Sequence, residues 1–259
     1  MPFTVSHAAA VFVFRRCRLI WSAFIVGSMA PDFPYIVAST EYRQIGHHFP
    51  GVLLFTVPTA LFALWFFHAV IKRPIAGLLP ASMQAKLQPQ LGNFAFAGAA
   101  RFAAILFSIA LGIATHVLWD SFTHPFTWIW WHVPWLQQWV KVPLFGITPM
   151  FEILQYLSSF FGLLVLVIWC WHWCVTTPAT VASEPPADSE LSLALLMFVV
   201  AGVAAFLRAY LLVGRPTSRE GADTFLMFFG VTALAIAFWE LLIYCALTTS
   251  LERWSGSHS

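Results

Sequence analysis

Charge is what this 259-residue chain has least of: Lys, Arg, Asp and Glu together make up 9% of it. A formal charge of +2 with no basic stripe offers no footing for a phosphate backbone, so nucleic acid is not an expected partner. Cysteine is scarce too. Cys17, Cys170, Cys174 and Cys245 form no CxxC pair and define no disulfide framework. Cys170 and Cys174 flank His172, but a residue two positions from each points off their helical face, so the trio reads as packing. The chain also lacks a Gly-x-Ser-x-Gly elbow, a P-loop and a dinucleotide fingerprint, which removes three common routes to chemistry. No internal repeat is present. The first fourteen residues hold no Lys or Arg, and Arg15, Arg16 and Arg18 then break the apolar pattern, so a retained N-terminus is expected rather than a signal peptide.

What the chain has in abundance is apolar material: 60% hydrophobic residues, 13 tryptophans and a mean hydropathy of +0.79. No soluble domain of this size needs so much, and the composition predicts an integral membrane protein, all-α and polytopic. Five stretches are long enough to cross a bilayer that needs about 20 residues: 49–71, with Pro58 as an expected kink, 99–121, 150–175, 191–213 and 224–247. Residues 5–14 and 19–29 are each too short, and predict a re-entrant or interfacial helical hairpin with Ser6 as an N-cap. Residues 72–98 read as an extramembrane loop with a short helix. Residues 126–146, with five tryptophans and one lysine, read as an aromatic lid or lipid-binding shelf at headgroup level. The polar stretch 176–190 divides a metal-site-bearing membrane domain, 1–175, from a two-helix membrane segment, 191–259. Basic residues nearly balance across the two sides, so the positive-inside rule picks no face.

Chemistry concentrates at one side of that membrane domain. His116, Asp120 and His124 recur every four residues and share one face of the second span, the outer pair roughly 12 Å apart. Pro125 disfavours helical geometry at His124, so the helix is expected to stop there. The first span leaves, and the second returns to, the side that carries the pair His47-His48. Asp32 sits in a Pro-rich turn, Met29-Ala-Pro-Asp32-Phe-Pro, and His7 opens the hairpin. Taken singly, each polar residue has a structural reading: Asp32 as a helix cap, Glu240 as an interhelical partner, His132 and His68 as interfacial residues, Gln155, Ser158 and Ser159 as hydrogen-bonding glue. Taken together, His7, Asp32, His47 or His48, His116, Asp120 and His124 are the neutral imidazoles and carboxylates that zinc and related divalent ions coordinate, with Asp120 able to bridge two ions.

At these residues the sequence resembles bacterial membrane proteins of a domain-of-unknown-function family. It is similar also to LexA-regulated, membrane-bound metal-dependent hydrolases and, more remotely, to zinc-dependent phospholipase C. The resemblance rests on Ser6-His7, Met29-Ala-Pro-Asp32, His47-His48-Phe-Pro-Gly and His116-x-x-x-Asp120-x-x-x-His124, and covers about residues 1–175. It implies a bacterial inner-membrane protein with a helical metallohydrolase site of one or two zinc-like ions on His7, Asp32, His47, His116, Asp120 and His124. The family's histidine-serine pair in place of His47-His48 favours His47. The phospholipase has further ligands, among them a later Glu for which Glu152 is the one candidate.

Two functions follow. The first is a membrane-embedded metal-dependent hydrolase in which Asp32, Asp120 and the histidines hold the ions, and an activated water attacks a phosphoester of a lipid or lipid-linked substrate. The second is a non-catalytic scaffold, or a small-solute or ion transporter, whose polar cluster ties helices together.

Overall fold

The computed structural model describes residues 4–34, 46–47, 49–143, 146–179 and 188–256, without the side chains of 188–191, 219 and 249–256. His48, the polar link that the sequence places at Ser39 to Gly46, apart from Gly46 itself, and most of the 176–190 linker lie outside the described residues. The protein is mostly helical, and among the described residues five helices are long and apolar enough to cross a membrane.

A 3₁₀ segment, Thr4–Phe12, and helix α1, Trp21–Met29, form the N-terminal hairpin. The segment starts at Thr4, so Ser6 lies inside it and is not its N-cap. The five long helices are α2 (Val52–Gly77), α4 (Ala99–Thr123), α6 (Met150–Thr176), α7 (Asp188–Val213) and α8 (Arg219–Gly256), with the short α3 (Ala81–Leu87) in the loop between α2 and α4. In α2 the backbone widens into π-helical turns at Val52–Thr56 and Phe67–Ile71. The first precedes Pro58, which has no N–H to give to the preceding turn, so the expected kink takes the form of a π-turn. Between α4 and α6 the tryptophan-rich stretch folds as a five-residue helix, α5 (Trp128–His132), a 3₁₀ turn and an antiparallel ribbon, β1 (Trp139–Val142) on β2 (Gly146–Pro149), with Trp139 facing Pro149. The ribbon is not expected from the sequence, because each strand is only four residues long and its β-branched Val140, Val142, Ile147 and Thr148 lie among tryptophans and prolines. Trp128, Trp131 and Trp139 remain exposed.

The chain divides into two compact units. One comprises residues 1–34, 41–64 and 96–172; the other comprises 35–40, 65–95 and 173–259. In the second unit α7 packs along α8, burying Ala201, Ala205, Ala209 and Cys245, and Arg208 donates to Thr232 Oγ1 at 2.7 Å. Lys72, buried at the end of α2, donates to the carbonyls of Gln90 and Gly92 and pins the loop before α4.

The first unit is built on the crossing of α1 and α4, where two glycines make the contact. A Cβ on Gly27 would stand 2.4 Å from the Ile109 carbonyl oxygen, and one on Gly112 would stand 2.3 Å from that of Phe24. Both positions therefore require glycine, and the two backbones touch where larger residues would hold helices apart. Ala23, Phe24, Ile105, Ile109 and Ile113 fill the crossing around them.

Candidate metal centre

The glycine crossing fixes the first part of the site. Ser28 follows Gly27, and His116 lies one turn beyond Gly112, so close helix approach brings the Ser28 carbonyl against the His116 ring. His116 is fully buried and its Nδ1 lies 2.7 Å from that carbonyl oxygen. A carbonyl can only accept, so Nδ1 carries a proton, and in the neutral ring Nε2 presents an in-plane lone pair. That lone pair faces Asp32 Oδ1 and Asp120 Oδ2, each at 3.6 Å, and His47 Nε2 at 3.1 Å.

Asp32 arrives in the 3₁₀ turn Ala30–Asp32 that the sequence places around Pro31. Its Oδ2 accepts from Thr4 Oγ1 at 2.7 Å, which turns Oδ1 toward the histidines. Among the described residues that Oδ1 is buried with no hydrogen-bond partner, and Asp32 belongs to the cluster; the helix it would cap in its simpler reading lies outside the described residues. His47 is brought beside it by a third tight glycine. A Cβ on Gly46 would fall 2.2 Å from the Pro31 oxygen, while Thr56 Oγ1 of α2 donates to the Gly46 carbonyl at 3.2 Å.

Asp32, His47, His116 and Asp120 each offer one ligand atom, all within 4.8 Å of one another. Five of the six separations run from 3.1 to 3.8 Å: His47 to His116, His47 to Asp120 (3.3 Å), His116 to each carboxylate, and His47 to Asp32. A regular tetrahedron of edge about 3.4 Å has its centre about 2.1 Å from each corner, the length of a zinc bond to imidazole nitrogen or carboxylate oxygen. The group can hold a metal ion. The orphaned Asp32 Oδ1 and the inward lone pair of His116 are what such an ion would satisfy.

The remaining expected residues lie beside this quartet. His7 stacks on the His116 ring at 4.0 Å, with its Nε2 3.6 Å from Asp120 Oδ1, the oxygen not directed at the other histidines. Burial, and then the neighbouring His116, hold its pKa down at about 4, so it is neutral at physiological pH. The α4 helix ends at Thr123 and His124 is extended, as Pro125 requires. Its Nδ1 lies 3.2 Å from the Asp120 carbonyl and 3.5 Å from Asp120 Oδ2, and its Nε2 lies 3.1 Å from the Gln155 side-chain nitrogen. Both ring nitrogens are thus already engaged, and His124 stands at the wall of the cluster.

A pocket opens along that wall. Ser6, His7 and Asp32 line one side; Trp119, Asp120, Thr123 and His124 line the end of α4; and Gln155, Ser158 and Ser159 face them from the start of α6. Several of these partners went unread in the sequence. Thr4 has no signal beyond its distance from Asp32, and the Ser28 carbonyl has none at all, being backbone. Gly112 is different: a glycine one turn before His116 on the same face marks a close approach. Ser6 sits against α6 at Gly162, where a Cβ would lie 2.9 Å from the Ser6 oxygen.

Several other residues read as polar candidates are not among the quartet or the pocket lining. Glu240, in α8, belongs to the second unit, and its Oε2 has no hydrogen-bond partner among the described residues. His68 stacks on Phe94 at 3.9 Å, in the second unit as well. His132 is exposed, stacks on Trp128 and lies with its Nδ1 2.8 Å from that residue's carbonyl oxygen. Cys170 is exposed and Cys174 half-buried, both with free thiols.

Comparison with known proteins gives no match among curated proteins and none among solved structures. It does match one family over residues 1–246, nearly the whole chain including four spans, most of the fifth and every residue of the cluster, and the protein therefore belongs to DUF4184, a domain of unknown function.

Proposed function

We propose that the protein is a membrane-embedded, divalent-metal-dependent hydrolase of phosphoesters, acting on a lipid or lipid-linked substrate at the membrane surface. The observation that carries this reading is the His116 ring. Its proton is committed to the Ser28 carbonyl, and its lone pair is aimed at two carboxylates and a second imidazole in a buried setting. A polar knot that served only to tie helices would satisfy its own members, whereas here Asp32 Oδ1 has no hydrogen bond among the described residues. A divalent ion bound in such a set polarises a water and the oxygens of a phosphoester.

The chain's own residues supply the rest. Thr4 and the Ser28 carbonyl orient the ligands, and Gly27, Gly46 and Gly112 let three backbone segments approach closely enough for them to meet. The pocket beside the cluster gives a substrate somewhere to sit. It lies at the end of α4 and the start of α6, two membrane-spanning helices, which places it at the end of the spans and suits a lipid-borne phosphoester.

The test is metal analysis of the purified full-length protein in detergent without chelators, with hydrolysis of an activated phosphodiester measured in parallel. Wild type should carry about one tightly held zinc or manganese per chain. His116→Ala and Asp120→Asn should lose both metal and turnover. Wild-type protein that holds no divalent ion after incubation with zinc and manganese would overturn the proposal.

A further inference from the structure

The pocket wall opposite the metal group has an unusual hydrogen-bonding balance. Ser158 and Ser159 both donate their hydroxyl protons to the Gln155 carbonyl, at 3.1 and 2.8 Å, and Thr123 donates to the Trp119 carbonyl at 3.3 Å. With those protons spent on helix backbone, the Ser158 and Ser159 hydroxyls are left as acceptors at the pocket, and Thr123 Oγ1, 3.3 Å from His124 Nδ1, keeps one lone pair. The Gln155 amide gives one N–H to His124, which leaves its carbonyl oxygen as a further acceptor. An incoming group meets mostly acceptors on this side and must bring donors of its own. No lysine or arginine lines the pocket among the described residues, so a second anionic group finds no counter-charge. No carboxylate lies on this wall apart from those of the metal group, so an ammonium finds none either. The indole of Trp119 is 41% exposed beside these groups and offers an apolar face. Neutral acceptors around an aromatic face suit a polyol, whose hydroxyls donate outward and whose C–H surface lies flat on a ring.

We infer that Gln155, Ser158, Ser159, Thr123 and Trp119 form a subsite for a neutral, hydroxyl-bearing group, a glycerol or sugar unit, carried next to the phosphoester. This rests on the hydrolase reading above and names the headgroup it selects: a hydroxylated one in preference to an alkyl or an ammonium-bearing one.

The experiment separates binding from turnover. Calorimetry on the zinc-loaded full-length protein compares glycerophosphoglycerol with dimethyl phosphate, two diesters of equal charge. Turnover is followed on vesicles of phosphatidylglycerol, phosphatidylmethanol or phosphatidylethanolamine with matched acyl chains. The glycerol diester should bind, and phosphatidylglycerol should be cleaved, at least about tenfold better than the methyl counterparts, the worth of one or two satisfied hydrogen bonds. Gln155→Leu and Ser159→Ala should each bring that ratio down about fivefold while metal content stays at the wild-type level. Equal handling of glycerol and methyl probes overturns the inference, as does a preference for phosphatidylethanolamine or failure of both diesters to bind. Preferential binding of the glycerol diester with no lipid cleaved would support the subsite and refute the hydrolase.

Discussion

Replacing Gly112 by alanine changes no ligand and adds one methyl group, yet it should dismantle the metal centre. The new Cβ would lie 2.3 Å from the Phe24 oxygen, 2.7 Å from the Ser28 nitrogen and 3.0 Å from the Gly27 carbonyl carbon, all of them backbone atoms that cannot rotate away. Restoring ordinary contact requires α1 and α4 to part by about 1 Å, and overpacking of this kind costs about 1–3 kcal/mol. The same movement carries the Ser28 carbonyl off His116, stretching a 2.7 Å hydrogen bond past the limit at which it counts as one. A buried imidazole N–H left without its acceptor costs about 1–3 kcal/mol more. Freed from that carbonyl, the ring no longer holds the tautomer that aims Nε2 at the cluster, and loss of such a partner lowers metal affinity about 10- to 100-fold. The assay is competition against a fluorescent zinc chelator in detergent, with a thermal melt of the metal-free protein alongside. Gly202→Ala is the control, because a Cβ there meets nothing within 4 Å. If Gly112→Ala binds zinc within about twofold of wild type and melts with it, the helix crossing does not position His116 and the reasoning fails.

Two further outcomes follow from the surroundings of the cluster. Thr4→Val removes the hydroxyl that holds Asp32 Oδ2 at 2.7 Å, and should weaken zinc binding about tenfold with a modest loss of stability; an unchanged affinity in the same competition assay would show that Asp32 is oriented by its turn alone. His7, with an ordinary value of 6.5 when unfolded and about 4 when folded, binds its proton more readily in the unfolded chain. The stability it lends is therefore complete above pH 6.5 and is lost as pH falls toward 4. Melting of the metal-free protein across that window should drop more steeply for wild type than for His7→Asn, and parallel curves would refute the assignment.

The sequence disclosed the spans and the side chains of the site for one physical reason: both are read from unusual burial. Twenty apolar residues in a row have few uses outside a bilayer, and ionisable residues spaced four apart within one such run are costly enough to need a purpose. His7, Asp32, His47, His116, Asp120 and His124 all meet in the first unit, an outcome that the order of the spans foretold for His47, His116, Asp120 and His124. What stayed hidden is what orients them. The acceptor for His116 is a main-chain oxygen, the partner of Asp32 is an ordinary threonine, and the contacts that set their distances are made by glycines, which have no side chain to show a pattern. The division between the quartet and its wall was equally invisible. Spacing puts His124 on the Asp120 face, but only the extended backbone before Pro125 and the reach of Gln155 from α6 decide that its nitrogens are engaged elsewhere.

The same geometry makes a demand on protons. His47 Nε2 and His116 Nε2 stand 3.1 Å apart, and the His116 proton is already on Nδ1. Two imidazole lone pairs at that distance repel unless a proton or a cation lies between them, and two buried carboxylates add negative charge on the same side. Without an ion, one proton beyond those of two neutral rings satisfies both needs: shared between the two Nε2 atoms, it bridges them and faces the carboxylates. An arriving divalent ion takes that place and must expel it, so binding should release about one proton at neutral pH. Zinc titrations by calorimetry in buffers of unequal ionisation enthalpy count that proton directly, the apparent enthalpy changing with the buffer in proportion to the number released. His116→Ala removes the opposing lone pair and should abolish the dependence together with tight binding. An apparent enthalpy independent of buffer, with zinc still bound tightly by wild type, would mean that the metal-free cluster holds no shared proton and that the 3.1 Å contact is relieved in some other way.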